Sequence, residues 1–174
     1  MENHVVRQAA VDDARGIAMV RVRTWQAAYR NIVSAVYLDA MDIDENVTRA
    51  QRWFETDNDD TRHWVGLDGD DIVGWACTFK QARDTDLDGA IGEVSACYAL
   101  PRVWGAGVGY QMLSKALECL RDQGAQGAVL WVLEQNERAI GFYERQGFRA
   151  DGSAKVEILT PENHLQEIRL RLNF

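Results

Sequence analysis

The alternation of hydrophobic and polar residues predicts a mixed α/β protein from the first positions onward. Val5 and Val6 fit a short strand. Asp12 can cap the helix that follows, because the hydrophobic residues after it recur at helical spacing. These residues are Ala14, Ile17, Ala18, Trp25, Ala28 and Tyr29. A second helical region, polar on one side, is expected over roughly residues 36–54.

The middle of the chain changes to a strand pattern. Two β-rich runs stand on either side of Asp68-Gly69-Asp70, a sequence typical of the turn of an antiparallel hairpin. The polar segment 81–89 is expected to be a loop. Residues 91–100 then predict another strand, which Pro101 ends.

The second half predicts two more helices and two more strands. One amphipathic helix presents Val108, Met112, Leu113, Ala116, Leu117 and Leu120 on one face. Gly124 is placed to stop it, and the apolar run 128–133 fits a strand covered on both sides. Asn136 can cap the next helix, with a left-handed C-cap at Gly147 before Phe148. A final half-buried strand is marked by alternating Ile168, Leu170 and Leu172.

These elements predict one α/β domain over residues 1–174, in the order β-α-α-β-β-β-α-β-α-β. Only two prolines, and neither a repeat nor a low-complexity run, interrupt the chain. There is no apolar run long enough for a membrane helix and no apolar leader, so a cytoplasmic protein without a membrane partner is expected.

Charge and cysteine content narrow the function classes. The net charge of −8 argues against nucleic-acid binding, which needs a basic face. An acidic surface fits either solubility alone or a cationic substrate such as an amine. Three widely spaced cysteines, without any CxxC, argue against a disulfide framework and against a zinc site. No metal is therefore expected.

The most informative segment is a glycine-rich turn between a strand and a helix. Glycines at 105, 107 and 109 would let the backbone approach an anion held by the N–H groups of the helix N-terminus. A tight packing turn is the alternative. A Walker loop would need Gly-Lys-Ser/Thr where this chain has Gly-Tyr-Gln. A dinucleotide fingerprint would need GxGxxG after the first strand, so an oxidoreductase fits poorly.

The turn resembles the acetyl-CoA-binding motif of the GNAT superfamily, the GCN5-related N-acetyltransferases. That motif runs Q/R-x-x-G-x-G/A, and Gly107 and Gly109 match its glycines. Trp104 stands where the family usually has Gln or Arg, which removes one donor to the pyrophosphate. Arg102 or the backbone can replace it. The resemblance extends to the strand 93–101, to 130–133 with the following helix, and to the N-terminal segment 25–29, and so covers nearly the whole chain.

The resemblance implies a GNAT fold, a central and mostly antiparallel sheet with about four helices, and a cofactor site. The fourth and fifth strands would splay apart around pantetheine. Backbone groups of Tyr98 and Ala99 would pair with that arm, and Asn136 would lie near it. The phosphates would lie over Trp104, Gly105, Ala106, Gly107, Val108 and Gly109.

The resemblance also implies direct transfer from acetyl-CoA to an amine. Tyr143 matches the family tyrosine that protonates the departing thiolate, and a phenol can donate a proton at neutral pH. A core aromatic is the alternative for Tyr143. Glu93 is a candidate base, directly or through water, since an alkylammonium must lose a proton before it attacks. An ion-paired carboxylate is the alternative for Glu93.

Other reactive or aromatic residues favour structural roles. Cys97 is expected to be a small core residue rather than a nucleophile, because no histidine partners it in the sequence. His63 and His164 are interpreted as ordinary strand or surface residues. Three aromatic residues are candidates for the acceptor pocket, although residues of this type are more often core. They are Trp25, Tyr29 and Trp75.

The predicted function is therefore an N-acetyltransferase that uses acetyl-CoA and a primary amine. A non-catalytic CoA-binding or regulatory module with the same fold is the alternative. The acceptor amine and the oligomeric state stay open, because fold does not fix the substrate. The resemblance is compatible with a homodimer.

Overall fold

Seven strands form one twisted sheet in the order β1-β2-β3-β4-β5-β7-β6. The computed structural model describes residues 4–56 and 59–174. The strands are β1 (Val5–Gln8), β2 (Thr61–Asp68), β3 (Asp71–Phe79), β4 (Ile91–Ala99), β5 (Gly127–Leu133), β6 (Arg149–Thr160) and β7 (Asn163–Asn173). The helices are α1 (Ala14–Ala28), α2 (Ala35–Asp39), α3 (Ile43–Thr56), α4 (Val108–Asp122) and α5 (Glu137–Arg145). This confirms the mixed α/β class.

The predicted hairpin is present, with Asp68 opposite Asp71 and Gly69 at a φ of +60°. All neighbouring strands are antiparallel except β4 and β5. Hydrophobic clusters cover the sheet on both sides. One cluster joins α4 and α5 to β5 and β7, and another joins α1 and α3 to β2 and β3. In the described part of the chain, no helix is both long and apolar enough to cross a membrane.

The parallel contact between β4 and β5 is short. It consists of the pairs Ile91–Gly127, Gly92–Ala128 and Glu93–Val129. A Cβ at Gly92 would lie 2.6 Å from a methyl group of Leu120, so a side chain there would require Leu120 to shift. Beyond Glu93 the paired register ends and the two strands diverge. A gap therefore opens in the middle of the sheet.

Three expectations about elements were wrong in detail. The helical region 36–54 is two helices, α2 and α3, which are separated at residues 40–42. The strand β6 was missed because much of it is exposed and polar, so it lacks the alternation of a half-buried strand. Asp12 does not cap α1. The helix begins at Ala14 after a short 3₁₀ turn, and Asp13 lies at its N-terminus.

The Asp13 carboxylate organises this entry to α1. It accepts hydrogen bonds from the Arg7 guanidinium at 2.6 and 2.8 Å and from the Ala10 backbone N–H at 2.8 Å. The bond with Arg7 is the main reason that the pKa of Asp13 is lowered. Asp13 thus ties β1 to the start of α1.

Candidate active site

A cleft of about 1060 Å³ occupies the gap between β4 and β5. The walls come from α1, β4, β5, α5 and the turn before α4. Small-molecule pockets commonly enclose about 300–1,000 Å³, so the cleft is large enough for an extended ligand and a second substrate. Its two ends are called here the turn end, lined by residues 103–105, 107, 109 and 110 and by α5, and the aromatic end, lined by Trp25, Tyr29 and Tyr37.

The turn end is a backbone surface at the N-terminus of α4. Gly105 and Gly107 have φ values of +81° and +95°, which L side chains rarely adopt, and Gly107 is the residue that precedes α4. A Cβ at either glycine would meet no atom within 4 Å, so the backbone conformation requires glycine there and crowding does not. The first-turn N–H groups of a helix have no intrahelical acceptors and attract anions.

Trp104, which stands where the motif has Gln or Arg, is held by a hydrogen bond and contacts a cation. Its indole Nε1 donates to the Ala99 carbonyl at 2.7 Å, so the ring is fixed across the end of β4. The guanidinium of Arg138, from α5, lies 3.2 Å from the centroid of this ring. The turn end therefore carries a cation that stacks on Trp104. Arg138 was missed because it is far from the turn in sequence.

Arg102 does not supply that cation. Its guanidinium pairs with Asp68 at 2.6 Å and with Asp71 at 3.2 Å, at the hairpin turn between β2 and β3. It is absent from the described cleft lining. The expectation that Arg102 compensates for Trp104 therefore does not hold, because tertiary structure gives Arg102 two carboxylates elsewhere.

The end of β4 is anchored from two sides. The carbonyl of Ala99 accepts from Trp104 and also from Thr24 Oγ1, at 3.0 Å. On its β3 side the strand pairs Tyr98 with Trp75. Tyr98 and Ala99 both line the cleft where β5 no longer accompanies β4. Asn136 lines it as well, and its side chain accepts the Ala139 N–H at 3.2 Å as the predicted cap of α5.

Tyr143 lies in the cleft wall between its two ends. Only 8% of the residue is exposed, and its ring packs edge-on against Phe142 and Phe148. Burial raises the pKa of Tyr143 well above 10.0, so the phenol stays protonated at neutral pH. A protonated phenol facing a cleft can donate a proton to an anion formed there.

Cys97 lies in the same wall, and burial raises the pKa of its thiol to about 12. Nucleophilic cysteines act as thiolates and need a lowered pKa. A thiol with a raised pKa is a poor nucleophile at neutral pH. This chemistry agrees with the interpretation of Cys97 as a packing residue.

Glu93 is buried at the point where β4 and β5 diverge, with 2% of its side chain exposed. Arg83 donates to both carboxylate oxygens from Nε and Nη2, and its backbone N–H lies 3.2 Å from Oε2. A carboxylate bound in this bidentate way has few lone pairs left to accept a proton. The geometry thus gives Glu93 a clear role in holding the loop 81–89 against β4.

A second carboxylate in the cleft was not singled out from the sequence. Glu167, on β7, has 18% of its side chain exposed and lies 3.5 Å from Lys155 Nζ. Burial raises its pKa, and Lys155 acts in the opposite direction. The sequence could have indicated Glu167 through the alternation of β7, because Glu167 and Arg169 share one face of that strand.

The aromatic end contains two of the three predicted aromatic residues. Trp25 and Tyr29 meet edge-on at 4.9 Å between ring centroids, and Tyr37 lies beside Trp25. Burial raises the pKa of Tyr29 well above 10.0. Trp75 is instead a core residue. It stacks on Trp53 at 5.1 Å and donates from Nε1 to His63 Nδ1, so its assignment to the acceptor pocket does not hold.

Most of the predicted site residues converge on this cleft, and a smaller group does not. Those that line it are Trp25, Tyr29, Glu93, Tyr98, Ala99, Trp104, Gly105, Gly107, Gly109, Asn136 and Tyr143. Arg102 and Trp75 lie elsewhere, and Ala106 and Val108 are not part of the lining. The Ala106 N–H donates to the Val103 carbonyl within the turn, and the Val108 side chain is buried against Met112.

Comparison with known proteins shows which family shares this architecture. Residues 19–148 match the model of the acetyltransferase (GNAT) family. The chain is 31% identical over 144 residues to YuaI, an uncharacterized N-acetyltransferase of Bacillus subtilis; the match covers 80% of this chain and 76% of YuaI. It is 32% identical over 142 residues to Rv2669, an uncharacterized N-acetyltransferase of Mycobacterium tuberculosis, covering 81% and 86% of the two chains.

Solved structures show the same fold at low sequence identity. The PaiA N-acetyltransferase of Thermoplasma acidophilum, in complex with coenzyme A, superposes with a TM-score of 0.73 at 15% identity over 99% of both chains. YncA of Salmonella typhimurium, with its cofactor acetyl-CoA, gives 0.69 at 18% identity over 98% of this chain and 94% of YncA. The fold, the family match and the curated relatives agree, and the chain belongs to the acetyltransferase (GNAT) family.

Proposed function

We propose that residues 1–174 form one cytoplasmic acetyl-CoA-dependent N-acetyltransferase domain that transfers acetyl directly to a primary amine. The observation that carries the proposal is the position of Tyr143, protonated and buried in the cleft where β4 and β5 diverge. Related structures contain coenzyme A or acetyl-CoA, which supports a coenzyme donor. Relatives named N-acetyltransferases support an amine acceptor.

The turn end fits a diphosphate. The N-terminus of α4 offers backbone N–H groups, and Gly105 and Gly107 keep side chains away from them. Arg138, stacked on Trp104, adds a positive charge at the same end. We therefore assign to Arg138 the electrostatic role that the family motif usually gives to its Gln or Arg. The exposed strand end at Tyr98 and Ala99 would bind the pantetheine arm through backbone groups.

Starting from an ammonium group, two protons must leave the nitrogen, one before attack and one as the amide forms, and one proton must reach the sulfur. The amine nitrogen forms a bond to the acetyl carbon, and the carbon–sulfur bond breaks. Tyr143 donates its phenolic proton to the departing sulfur and regains one from solvent afterwards. Backbone N–H groups of β4 facing the gap can stabilise charge on the carbonyl oxygen during attack.

The base that deprotonates the ammonium must keep an accessible lone pair. Both oxygens of Glu93 accept from Arg83, so Glu93 is better suited to positioning than to proton removal. Glu167 lines the cleft, and its pKa is raised by burial. A carboxylate with a raised pKa is a stronger base at neutral pH. We therefore propose Glu167 as the base, acting directly or through water.

The test combines binding and turnover. Acetyl-CoA should raise the melting temperature by mass action, because the folded state binds it. Thiol release should require an added amine, and Tyr143→Phe should lower kcat by roughly 100-fold or more. The comparison variant is Tyr110→Phe, at the turn end of the cleft and 55% exposed, which can change the KM for acetyl-CoA but should leave kcat nearly unchanged.

Two outcomes would contradict parts of the proposal. Binding without thiol release across a broad amine panel would favour the alternative, a CoA-binding or regulatory module. No stabilisation at millimolar acetyl-CoA would remove the coenzyme itself from the proposal.

Sedimentation with and without acetyl-CoA would decide between a monomer and the homodimer that family resemblance leaves open.

A further inference from the structure

Two arginines at the aromatic end of the cleft lack an acidic partner. Arg21, on α1, and Arg49, on α3, both line the cleft. Within residues 4–56 and 59–174, no carboxylate forms an ion pair with either guanidinium. The whole chain carries a net charge of −8, so acidic residues are abundant. Two unpaired cations beside each other are therefore unexpected from composition.

Arg21 is held in place by neutral groups. Its Nη1 donates to Asn46 Oδ1 at 2.7 Å, and its guanidinium lies 4.9 Å from the ring centroid of Trp25. Burial is the main reason that its pKa is lowered, and the charge of Arg49 lowers it further. Leaving a partly desolvated charge unpaired is unfavourable. Such a charge is retained at this position at a cost in stability.

The remaining cations of this part of the cleft are already engaged. Arg83 binds both oxygens of Glu93, and Lys155 pairs with Glu167. These pairs leave Arg21 and Arg49 as the charge available to a ligand. The buried indole Nε1 of Trp25, on which Arg21 stacks, also has no hydrogen-bond partner among the described residues. This end therefore has an indole N–H without a partner beside the guanidinium of Arg21.

We infer that Arg21, assisted by Arg49, binds a carboxylate of the acceptor, so that the acceptor is an amine of the amino-acid type. The planar guanidinium matches a carboxylate, and the remaining N–H groups of Arg21 can form charge-assisted hydrogen bonds with it. The rings of Trp25, Tyr29 and Tyr37 would contact the rest of the acceptor. This inference rests on the proposed function, and it gives the acceptor an anionic group in addition to its amine.

The experiment compares acceptors that differ only in the carboxylate. Initial rates of thiol release would be measured with L-phenylalanine, L-methionine and L-leucine, each beside its α-amide and its decarboxylated amine. Free acids should have kcat/KM values about 10- to 100-fold higher, the range expected for a charge-assisted hydrogen bond. An α-amide loses its ammonium proton more readily than the free acid, so amine basicity cannot produce this preference.

The matched variants are Arg21→Gln and Arg23→Gln, which lie on the same helix. Arg23 is exposed and outside the cleft lining. Arg21→Gln should abolish the preference for free acids over amides and leave the stabilisation by acetyl-CoA unchanged. Arg23→Gln should change neither. If Arg21→Gln fails to fold, Arg21→Lys keeps the charge, and it should retain the preference while raising KM.

The outcomes separate this inference from the proposed function. Transfer to amides and simple amines as fast as to free acids would overturn the carboxylate assignment and leave the acetyltransferase intact. Stabilisation by acetyl-CoA without transfer to any of these free acids would also overturn it. A preference for 2-aminoethylphosphonate over β-alanine would replace the carboxylate by a phosphonate at the same arginines. No stabilisation by acetyl-CoA would count against the donor site and not against Arg21.

Discussion

The two ends of the cleft are built in opposite ways. The turn end is largely one continuous run of backbone, and its chemistry depends on two positive φ values and a helix N-terminus. The aromatic end is assembled from side chains of α1, the segment around α2, and α3. A ligand phosphate needs N–H groups that every residue can offer, whereas discrimination between acceptors needs particular side chains. The turn end is therefore determined by backbone conformation, and the aromatic end by the identity of its side chains.

The largest expected effect is on the free energy of unfolding, and it compares an arginine that has an acidic partner with one that has none. Arg83→Met would leave the buried Glu93 carboxylate without its guanidinium partner, and we expect a loss of about 3–5 kcal/mol in the free energy of unfolding. Arg21→Gln removes a cation that has no acidic partner and should cost less than about 1 kcal/mol. Urea denaturation of both variants measures the difference.

A double variant provides the control for this pair. Glu93→Gln in the Arg83→Met background removes the stranded charge and should recover most of the lost stability. Equal losses in Arg83→Met and Arg21→Gln would show that the two arginines have the same structural role, and the contrast between them would fail.

The next effect isolates backbone conformation at the turn end. Gly107→Ala places a Cβ on a residue with φ of +95°, which costs about 1–2 kcal/mol of strain. We expect lower stability and roughly ten-fold weaker acetyl-CoA binding by calorimetry, because the turn must relax away from the anion. Gly109→Ala is the control, since its Cβ would lie 3.7 Å from Phe142 in ordinary contact. Equal weakening in both variants would contradict this account.

The last effect appears only at alkaline pH, and it tests the wall between the two ends. The pKa of Cys97 is raised from 9.0 to about 12, so the folded protein keeps a proton that the unfolded chain loses above pH 9. The corresponding stability is complete below pH 9 and declines as pH rises towards 12, by about 1.4 kcal/mol per pH unit. Tyr29 and Tyr143 add the same trend above pH 10, since their pKa values are also raised.

Cys97→Ala should therefore lose stability less steeply than the wild type between pH 9 and pH 10.5. Chemical denaturation at pH 7 gives the packing loss of the variant, which is subtracted before the slopes are compared. Parallel curves over this interval would mean that the thiol titrates alike in both states.

The sequence predicted features that depend on local spacing. The Asp68-Gly69-Asp70 hairpin, the Asn136 cap and the left-handed Gly147 before the buried Phe148 are all present. Each is set by residues within a few positions of one another, so a pattern can record it. The glycine turn belongs to the same class, and the family resemblance it carried is confirmed by the match over residues 19–148.

Features that depend on tertiary neighbours were not predicted. Arg102 and Trp75 have suitable chemistry for the site, but two carboxylates bind the first and an aromatic stack buries the second. Arg21 and Arg138 were not singled out from the sequence, and the fold places each against a tryptophan. Strand β6 gains its pairing from β7 rather than from its own pattern.

The brief pairing of β4 with β5 has a further consequence. The paired segment covers three positions and includes Gly92 of β4 and Gly127 of β5. The point where β4 and β5 separate, here called the vertex, is the closed end of the gap, and an extended ligand cannot enter the sheet beyond it. Tight packing at Gly92 and Gly127 keeps this vertex from moving deeper. The packing at these two glycines therefore limits how deeply any ligand in the gap can reach between β4 and β5.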